Sequence, residues 1–516
     1  MAYFNTLLLY LGFGGSLLLL GLGSVPPLRH LRKPLSAVWL TILTLVFCLS
    51  PATGRWVLSV WTPSSVTHGL MVLDIAPPLW WCIVSICAAF AGLLWVTVGE
   101  RLPSLRHTGP LLVLYVLILW QALTAGSLLM MLAMWSLFDI VWFLGRSSGA
   151  VEGERGVWGV TLSGIASLLL WIVSFFLLEE GASGLWWLMR PSASSFNLLL
   201  VAACLRLGFY PFQVVHAESW GRARSLTLAG AISPLLGVGL LYRLLSLPGQ
   251  GRLSDWLVVW AGLSVFWSGV KALTHSGRGA LLPAAYGLLL ALVTGAVITD
   301  DPESLVLGAG IWVACLALLA IARRYERRGF AWSWSTVIAV LVLMGAPPSP
   351  LLRLYHGALD AAPLGVLLLY LVGLLTAVAA LVRGSAQQAE GRVTPAYGHR
   401  ALPMAVGMAV LVVTVLAASL AAEVPTIAPL PFALWVLATV GGCFLALRGE
   451  RILAIWHRAH TLHELLDLDW FYGSVWQGAN NLLGVLRVTA DVVEGRGSVL
   501  WSVLILLLVL MVAGGR

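Results

Sequence analysis

The residues of this chain that could do chemistry are ionisable side chains inside long apolar segments. Asp139 and Arg206 each lie within such a segment, and Lys271, one of only two lysines, precedes Thr274 and His275 on one helical face. Inside a membrane, ionisable side chains are costly, so they pair with one another or mark an ion path. A lysine beside a carboxylate can bind and release a proton, whereas an arginine stays protonated. Asp139 and Arg206 are therefore interpreted either as a coupling pair or as a static pair that holds two helices together.

Further ionisable residues lie near the ends of the apolar segments. Glu218 is interpreted either as part of a cytoplasmic half-channel or as an ordinary loop residue at the membrane edge. Lys271 with His275 forms either a proton or water path or a site where the lysine simply reaches the membrane interface. The ion-path candidates are Asp139, Arg206, Glu218, Lys271, His275, Arg278, Arg353, Tyr355 and His356.

Two of the apolar segments are interrupted by proline. The first break contains Pro211, and the second contains Pro347 and Pro348. A proline inside a membrane helix leaves a backbone carbonyl without its helical partner, which is tolerated where the break faces protein or water. Two broken helices at matching places in two halves of a chain are typical of transport proteins. We therefore predict that both breaks border a protein-lined interior.

The composition indicates which elements position these residues. The chain has 516 residues, of which 60% are hydrophobic and 10% are charged, and its mean hydropathy is +0.94. Soluble domains contain about 25% charged residues, so this composition predicts an all-α polytopic membrane protein. Apolar runs suited to crossing a bilayer predict sixteen spans, at 4–22, 35–50, 79–98, 108–124, 128–145, 157–178, 195–215, 226–246, 255–275, 280–298, 304–322, 332–354, 362–382, 401–420, 430–447 and 497–513.

The distribution of basic residues predicts the orientation of the spans. No basic residue precedes the first span, whereas Arg29, Arg32 and Lys33 follow it. Because positive charge collects on the cytoplasmic side, we predict a multi-pass protein of the cell inner (plasma) membrane with its N-terminus outside. The net charge of +8 then reflects topology, with the lipid bilayer as a partner and no reason to expect nucleic acid.

The sequence carries no signature of a cofactor or a metal site. The six cysteines are scattered without a CxxC motif, and the ten histidines form no HExxH motif. There is no Walker sequence and no GxGxxG motif after a strand. We therefore predict no catalytic residue and no cofactor, nucleotide or metal site in this chain.

The positions of the breaks predict an internal repeat. The breaks lie five spans apart, so a five-helix unit repeated in tandem must run inverted the second time. After residue 448, charged residues mix with Trp, Leu and Val at helical spacing, which is typical of an amphipathic helix lying along the membrane or its neighbours. The predicted divisions are 1–106 (N-terminal transmembrane helices), 107–247 (first five-helix unit), 254–384 (second, inverted five-helix unit), 385–448 (two further spans), 449–496 (lateral amphipathic helix) and 497–516 (anchor helix).

These features resemble a known family, the antiporter-like, proton-conducting subunits of respiratory complex I, membrane-bound hydrogenases and Mrp-type cation/proton antiporters. The stretch from Arg206 through Leu244 resembles the family's broken seventh helix and its sequel, and Trp334 to Tyr355 resembles the broken twelfth helix. The segment from Leu466 to Tyr472 is similar to the start of a C-terminal extension in Mrp-related and hydrogenase-related members. The resemblance covers nearly the whole chain and implies the fold of that family.

The first five-helix unit departs from the family's pattern at two positions. The resemblance implies a glutamate directly after the tryptophan of the fifth helix, but Trp135 is followed by Ser136, and Asp139 stands three residues later. The family's lysine in the seventh helix falls on Arg206. Because arginine holds its proton, this residue can hold an anion or an ion pair but cannot relay protons.

The second five-helix unit departs further from the pattern of this family. The family's lysine at the start of the tenth span falls on or next to Gly279, with Arg278 adjacent. The lysine or glutamate at the end of the twelfth helix falls on Tyr355, where the resemblance implies an exit-side cluster with Arg353 and His356. Polar residues usual in the preceding span are missing from the stretch 308–322.

The resemblance implies a membrane subunit of a complex I-like or Mrp-like assembly, at most a subunit of an NADH-quinone oxidoreductase-type translocase, with other membrane subunits as partners. Such a subunit takes part in proton or sodium translocation coupled to a redox or antiport partner. Two interpretations stay open, conduction through Asp139, Lys271, His275 and bound water, or a non-conducting structural subunit whose path has decayed. A membrane subunit of an inorganic-carbon uptake complex and an unrelated secondary transporter are further alternatives.

Overall fold

The computed structural model divides the chain into two compact parts, Met1–Arg451 and Ile452–Arg516. In the second part residues 473, 474, 477 and 481 are described, and all four are helical and exposed. The remainder of the predicted lateral helix, the anchor helix and the segment from Leu466 to Tyr472 lie outside the described residues. The structure describes residues 2–22, 31–50, 53–60, 70–98, 108–147, 154–179, 184–213, 226–247, 255–275, 280–325, 334–347, 349–386, 401–420, 428–448, 473–474, 477 and 481.

Apolar runs form helices because a helix satisfies its backbone hydrogen bonds within one segment, which is what a bilayer demands. The described part of Met1–Arg451 contains sixteen helices: α1 (Ala2–Leu22), α2 (Arg32–Leu49), α3 (Pro77–Val98), α4 (Thr108–Leu123), α5 (Leu128–Ser147), α6 (Glu154–Glu179), α7 (Ala193–Leu207), α8 (Leu226–Leu245), α9 (Asp255–Thr274), α10 (Leu281–Thr299), α11 (Pro302–Tyr325), α12 (Trp334–Leu343), α13 (Leu351–Ala361), α14 (Leu364–Ala386), α15 (Ala401–Leu420) and α16 (Pro429–Arg448).

The helices confirm an all-α polytopic membrane protein. Each of the first fifteen predicted spans coincides with a described helix or helix pair, and the sixteenth, 497–513, lies outside the described residues. Among the described residues, 7 helices are long and apolar enough to cross a membrane by themselves, and shorter apolar helices of 10–17 residues accompany them. Leu288, Leu289 and Leu290 are buried on successive faces of α10, which places this helix at the centre of the bundle.

A β-hairpin lies between α2 and α3, where the sequence analysis predicts no regular element. Strands β1 (Gly54–Val60) and β2 (Leu70–Ile75) pair antiparallel, with a register shift between Val57 and Ser59. The hairpin is attached to the helices by backbone hydrogen bonds, since the N–H of Asp74 donates to the carbonyl of Thr124 at 2.7 Å. Alternating apolar residues favour strands here, but the pairing depends on contact with the distant α4 end, which a local pattern does not reveal.

The span predicted over 332–354 is two short helices, α12 and α13, and the second continues to Ala361. The helix stops because Gly345 adopts a left-handed φ of 81°, and the N–H of Ala346 then bonds the carbonyl of Leu341 at 2.9 Å. This is the hydrogen-bond pattern of a glycine-terminated helix. Of the predicted break residues here, Pro347 is exposed and Pro348 lies outside the described residues.

The helix neighbours of the two predicted five-helix units correspond. In the first unit α4 packs on α5 and α8, α5 on α6, α6 on α7, and α7 on α8. In the second unit α9 packs on α10 and α14, α10 on α11, α11 on α12, and both α12 and α13 on α14. These contacts agree if the pair α12 and α13 takes the place of α7. The units differ in that α10 also packs on α13 and α14, whereas α5 makes no comparable contact with α7 or α8 among the described residues. The inverted repeat itself stays a prediction.

Candidate ion site between α5, α6 and α7

Arg206 and Asp139 form a two-pronged ion pair between α7 and α5. Arg206 Nη2 lies 2.7 Å from Asp139 Oδ1, and Arg206 Nη1 donates to Asp139 Oδ2 at 3.1 Å. Arg206 sits in the last turn of α7 because that helix ends at Gly208, whose φ is 70°. The N–H of Phe209 then bonds the carbonyl of Cys204 at 3.0 Å, which fixes the end of the helix. Both terminal nitrogens of the guanidinium thus lie against the carboxylate, and the hydrogen bond to it runs from Nη1.

Two serines of α6 complete the coordination of Asp139. Ser163 Oγ donates to Asp139 Oδ1 at 2.6 Å, and Ser167 Oγ donates to Asp139 Oδ2 at 2.9 Å. Arg206 Nη1 also donates to Ser163 Oγ and, at 3.5 Å, to the carbonyl of Ser163. The serines are four residues apart, so both lie on one face of α6. The sequence analysis did not single them out, although this spacing of serines in an apolar helix was visible.

The ion pair is held in an apolar, protein-lined setting. Arg206 is 0% exposed, while the side chain of Asp139 is 19% exposed. The guanidinium carbon lies 5.0 Å from the ring centre of Trp135 and 5.3 Å from that of Phe138, within the range of cation–π attraction. Asp139 Oδ2 accepts the hydroxyl of Ser167 and an N–H of Arg206 Nη1, while Oδ1 accepts the hydroxyl of Ser163 and lies 2.7 Å from Nη2. The charge of Asp139 is therefore compensated by side chains of α6 and α7.

Side chains from the second five-helix unit cap the break that follows Arg206. Tyr286 of α10 donates its hydroxyl to the carbonyl of Leu207 and, at 3.1 Å, to that of Gly208. On α9, Trp260 Nε1 donates to the carbonyl of Tyr210 at 2.5 Å, and Ser264 Oγ accepts the N–H of Tyr210 at 3.0 Å. These partners replace the helical hydrogen bonds that the chain loses before Pro211, which is half-buried.

The second break is capped in a parallel way. Tyr355 of α13 donates its hydroxyl to the carbonyl of Leu343 at 3.0 Å, and Trp435 Nε1 of α16 donates to the carbonyl of Met344 at 3.0 Å. Leu343, Met344 and Gly345 are buried. Each break therefore combines a left-handed glycine, a tyrosine hydroxyl and an indole N–H on its free carbonyls. These carbonyls face protein, whereas Pro347 of the second break is exposed.

The fold is similar to those of chains in three solved membrane complexes. A chain of the Mrp complex from Dietzia sp. DQ12-45-1b matches over 99% of this chain and 62% of its own length, with a TM-score of 0.75 and 16% identity. A chain of the membrane-bound sulfane sulfur reductase, an archaeal respiratory membrane complex, matches over 98% of this chain and 99% of its own, with a TM-score of 0.64 and 14% identity. A chain of respiratory complex I from Thermus thermophilus with bound NADH matches over 86% of this chain and 100% of its own length, with a TM-score of 0.62 and 15% identity. The chain has the antiporter-like membrane-subunit fold.

The fold implied by the sequence resemblance is thereby confirmed. This chain spans under two thirds of the Mrp chain that it matches, at 62%. Neither a protein-family profile nor a curated protein sequence matches the chain. The similarity therefore concerns the antiporter-like fold, and the side chains must be interpreted from their own geometry.

The exit-side cluster implied by the resemblance is not formed in this antiporter-like fold. Arg353 Nε pairs with Asp301 Oδ2 at 2.9 Å, and Tyr355 turns back to the carbonyl of Leu343. His356 Nε2 instead accepts the N–H of Ala428 at 3.1 Å, just before α16. The three side chains have partners in different parts of the chain. Their joint role in an ion path stays a prediction.

Lys271 and His275 lie at the end of α9, where both are half-buried. His275 Nδ1 lies 3.0 Å from the backbone carbonyl of Lys271, and Thr274 Oγ1 donates to the same carbonyl at 2.7 Å. The two polar side chains thus close the last turn of their own helix, as is common at helix ends. A proton path through Lys271 and His275 stays a prediction. Glu218 and Arg278 lie outside the described residues.

A second ionic network, which the sequence analysis missed, joins the hairpin to the antiporter-like helices. Arg243 of α8 is 5% exposed, and its Nη1 lies 2.7 Å from Asp74 Oδ2. Arg243 Nη2 donates to the carbonyls of Asp74 at 2.8 Å and of Leu123 at 3.4 Å. Arg55 Nε reaches the other carboxylate oxygen of Asp74 at 3.1 Å and lies over the ring of Trp187. This network links α8, α4 and the hairpin.

Among the described residues, no group of three or more His, Cys, Asp or Glu side chains is arranged to hold a metal ion. All six cysteines are free, and Cys82, Cys87, Cys204 and Cys315 are buried. The chemistry that the described interior offers is therefore that of two buried arginines paired with aspartates and a set of hydroxyl and indole hydrogen bonds.

Proposed function

We propose that this chain is a membrane subunit of a complex I-like or Mrp-like assembly that translocates protons or sodium ions, and that its own ion path is interrupted at Arg206. The proposal places the chain in the cell inner membrane with its N-terminus outside and its two five-helix units, 107–247 and 254–384, as an inverted repeat. Other membrane subunits are its partners. The solved chains with this fold come from an Mrp complex, an archaeal respiratory membrane complex and respiratory complex I.

The observation that carries the proposal is the environment of Arg206. This side chain is fully buried and holds both oxygens of Asp139, together with Ser163. Arginine keeps its proton, so it cannot alternate between charged and neutral forms as a relay must. A guanidinium that keeps its charge beside Asp139 stays paired with it. This environment favours the interpretation that Asp139 and Arg206 form a static pair that holds α5 and α7 together.

The second five-helix unit supports the same conclusion. The described Asp, Glu, Lys and Arg residues of α9 to α14 all lie in first or last helical turns or between helices, namely at 255, 271, 300, 301, 303, 323, 324, 353, 360 and 383. Proton relays through membranes are built from ionisable side chains deep in the bundle. The described interior of this unit contains hydroxyl and indole groups that donate to backbone carbonyls, and the buried ring of His356 contacts the backbone of Ala428.

The test begins with gentle purification through a tag on this chain, followed by identification of the subunits that accompany it and reconstitution of the intact assembly in vesicles. Proton and sodium flux are then compared between wild type and the double variant Asp139→Asn/Arg206→Met. The double change removes both charges, because a single change would leave the other charge buried and unpaired. Lys271→Met tests the alternative path, and Arg353→Gln serves as a control in the first turn of α13, where the side chain is 50% exposed.

We expect the assembly to remain intact and the flux of the double variant to stay within about twofold of wild type. A flux that falls tenfold or more while all subunits remain present would mean that the pair relays ions. A comparable loss in Lys271→Met alone would favour conduction through the end of α9. Purification of this chain without any partner subunit would contradict its place in an assembly.

A further inference from the structure

Three oxygen atoms converge on one nitrogen of Arg206. Nη1 is contacted by Asp139 Oδ2 at 3.1 Å, by Ser163 Oγ, and by the carbonyl oxygen of Ser163 at 3.5 Å. Ser167 Oγ adjoins the same carboxylate oxygen at 2.9 Å. The three atoms in contact with Nη1 are one carboxylate oxygen, one hydroxyl oxygen and one backbone carbonyl oxygen. These are the oxygen ligands that hard cations prefer in proteins.

The serine hydroxyls are oriented toward this point by the ion site. A serine or threonine in a membrane helix usually donates to the carbonyl four residues earlier. Ser174 of α6 does so, with its hydroxyl 2.8 Å from the carbonyl of Leu170. Ser163 and Ser167 instead donate their protons to Asp139. With the proton used on the carboxylate, each hydroxyl keeps its lone pairs for a cation.

We propose that these oxygens form a binding site for a monovalent alkali cation, and that the guanidinium of Arg206 permanently occupies it. The site carries one negative charge, that of Asp139, so a single positive charge neutralises it. A divalent ion would leave an uncompensated charge among apolar side chains, which is strongly unfavourable. The aromatic faces of Trp135 and Phe138 also favour a cation at this place.

The inference predicts a site that wild type cannot load. With Arg206 in place, sodium or potassium has no vacancy to fill. Shortening this side chain removes the tethered cation and leaves Asp139, Ser163 and Ser167 around a space that water and an alkali ion can enter. The inference rests on the proposed function only in treating Arg206 as a fixed cation, and its test uses binding in place of flux.

The experiment uses the full-length chain with its accompanying subunits in lipid nanodiscs. The thermal unfolding midpoint of this chain is titrated with NaCl or KCl against choline chloride at constant ionic strength. For wild type we expect the same midpoint in the alkali salts and in choline chloride. For Arg206→Ala we expect a midpoint that rises by several degrees with NaCl or KCl, since a ligand that binds the folded state stabilises it.

Two double variants test the ligands. Arg206→Ala/Ser163→Ala removes one coordinating oxygen and should need at least about tenfold more salt for the same shift, which corresponds to about 1.4 kcal/mol of binding free energy. Arg206→Ala/Ser174→Ala changes a serine bonded to its own helix and should respond as Arg206→Ala does. Equal responses of the two double variants would overturn the assignment of Ser163 as a ligand.

A midpoint of Arg206→Ala that is the same in NaCl, KCl and choline chloride overturns the inference. So does a midpoint that rises only as pH falls, equally in all salts, because a proton on Asp139 would then replace the arginine. If Arg206→Ala cannot be purified in any salt, the same salt titration is carried out with Arg206→Gln, which keeps most of the side-chain volume. Its result then tests the cation site. These results are independent of the flux of Asp139→Asn/Arg206→Met, so the cation site and the proposed function can fail separately.

Discussion

The first and second five-helix units satisfy their buried polar groups in different ways. In the first unit, Asp139 and Arg206 meet between α5 and α7 with serines of α6 around them. In the second unit, Trp312 Nε1 donates to the carbonyl of Ala285 at 2.6 Å, and the hydroxyl of Tyr370 donates to that of Ala291 at 3.2 Å. A buried charge needs a matched set of partners, whereas a hydroxyl or indole needs one acceptor. The charged unit is therefore the more sensitive of the two to loss of a single side chain.

The two units also differ in how closely their helices approach. In the second unit, Gly269 of α9 faces Gly373 of α14 so closely that a Cβ on Gly269 would lie 2.2 Å from the carbonyl oxygen of Gly373. In the first unit, the matching contact of α8 with α4 places Gly239 beside Leu123, whose Cδ2 would lie 2.8 Å from a Cβ on Gly239. The contact in the second unit is made by backbone atoms, which cannot move aside by a change of rotamer. The contact in the first unit can adjust by a change of side-chain rotamer.

Asp139→Asn is expected to cause the largest loss of folding stability, because it leaves the guanidinium of Arg206 buried without a counter-charge. Breaking a buried ion pair by removing one partner costs about 3–5 kcal/mol. The measurement is equilibrium unfolding in mixed micelles, with Ser136→Ala, one turn earlier on α5, as the control that changes no charge. A loss below about 1 kcal/mol, within the range of exposed ion pairs, would mean that water reaches the pair and that the two units are more alike than described.

Gly269→Ala tests the close packing of the second unit. The added methyl group would also lie 2.4 Å from Thr376 Oγ1, so α9 and α14 must move apart. Overpacking of this kind costs about 1–3 kcal/mol and sometimes more. The matched control is Gly365→Ala on α14, where nothing lies within 4 Å of the added atom. Equal stability of the two variants in the same unfolding assay would contradict backbone contact between α9 and α14.

The spans and the breaks were predictable from sequence because their causes are local. Uninterrupted apolar runs specify the helices, and the glycine and proline near residues 208–211 and 345–350 specify where two of them stop. The proximity of Asp139 to Arg206 was also foreseeable, since charges inside spans need partners. Whether the pair moves ions is a separate question that composition does not address.

The contacts that sequence analysis missed depend on side-chain direction or on distant partners. Ser163 points at Asp139, whereas Ser174 on the same helix points at its own backbone, and no local pattern separates them. Asp74 binds Arg243, 169 residues away, from a hairpin that exists only against the end of α4. The separate partners of Arg353, Tyr355 and His356 were missed for the same reason, because two of these partners, Asp301 and Ala428, come from distant parts of the chain.

Tyr286→Phe and Tyr355→Phe compare the two helix breaks. Tyr286 serves two carbonyls, those of Leu207 and Gly208, whereas Tyr355 serves the carbonyl of Leu343 alone. Leaving a buried acceptor unsatisfied costs about 1–3 kcal/mol, so we expect Tyr286→Phe to destabilise the chain more than Tyr355→Phe. Because Leu207 directly follows Arg206, combining Tyr286→Phe with Asp139→Asn should give a loss that differs from the sum of the single losses. Additivity of the two changes would indicate that the cap does not influence the ion pair.

Arg353→Gln is expected to cause the smallest loss of folding stability, and it allows an exposed ion pair to be compared with a buried one. Arg353 pairs with Asp301 at 2.9 Å but is 50% exposed, and Asp301 already accepts the hydroxyl of Ser304 at 2.7 Å. An exposed ion pair contributes about 0–1 kcal/mol, and this contribution is weakened by salt. The matched comparison is Arg243→Gln, which removes the 5%-exposed partner of Asp74 and should cost several times more. If Arg353→Gln proves as damaging as Arg243→Gln in the same unfolding assay, and equally so at high salt, then the outer end of α13 carries a buried charge and the second unit has an ionic centre of its own.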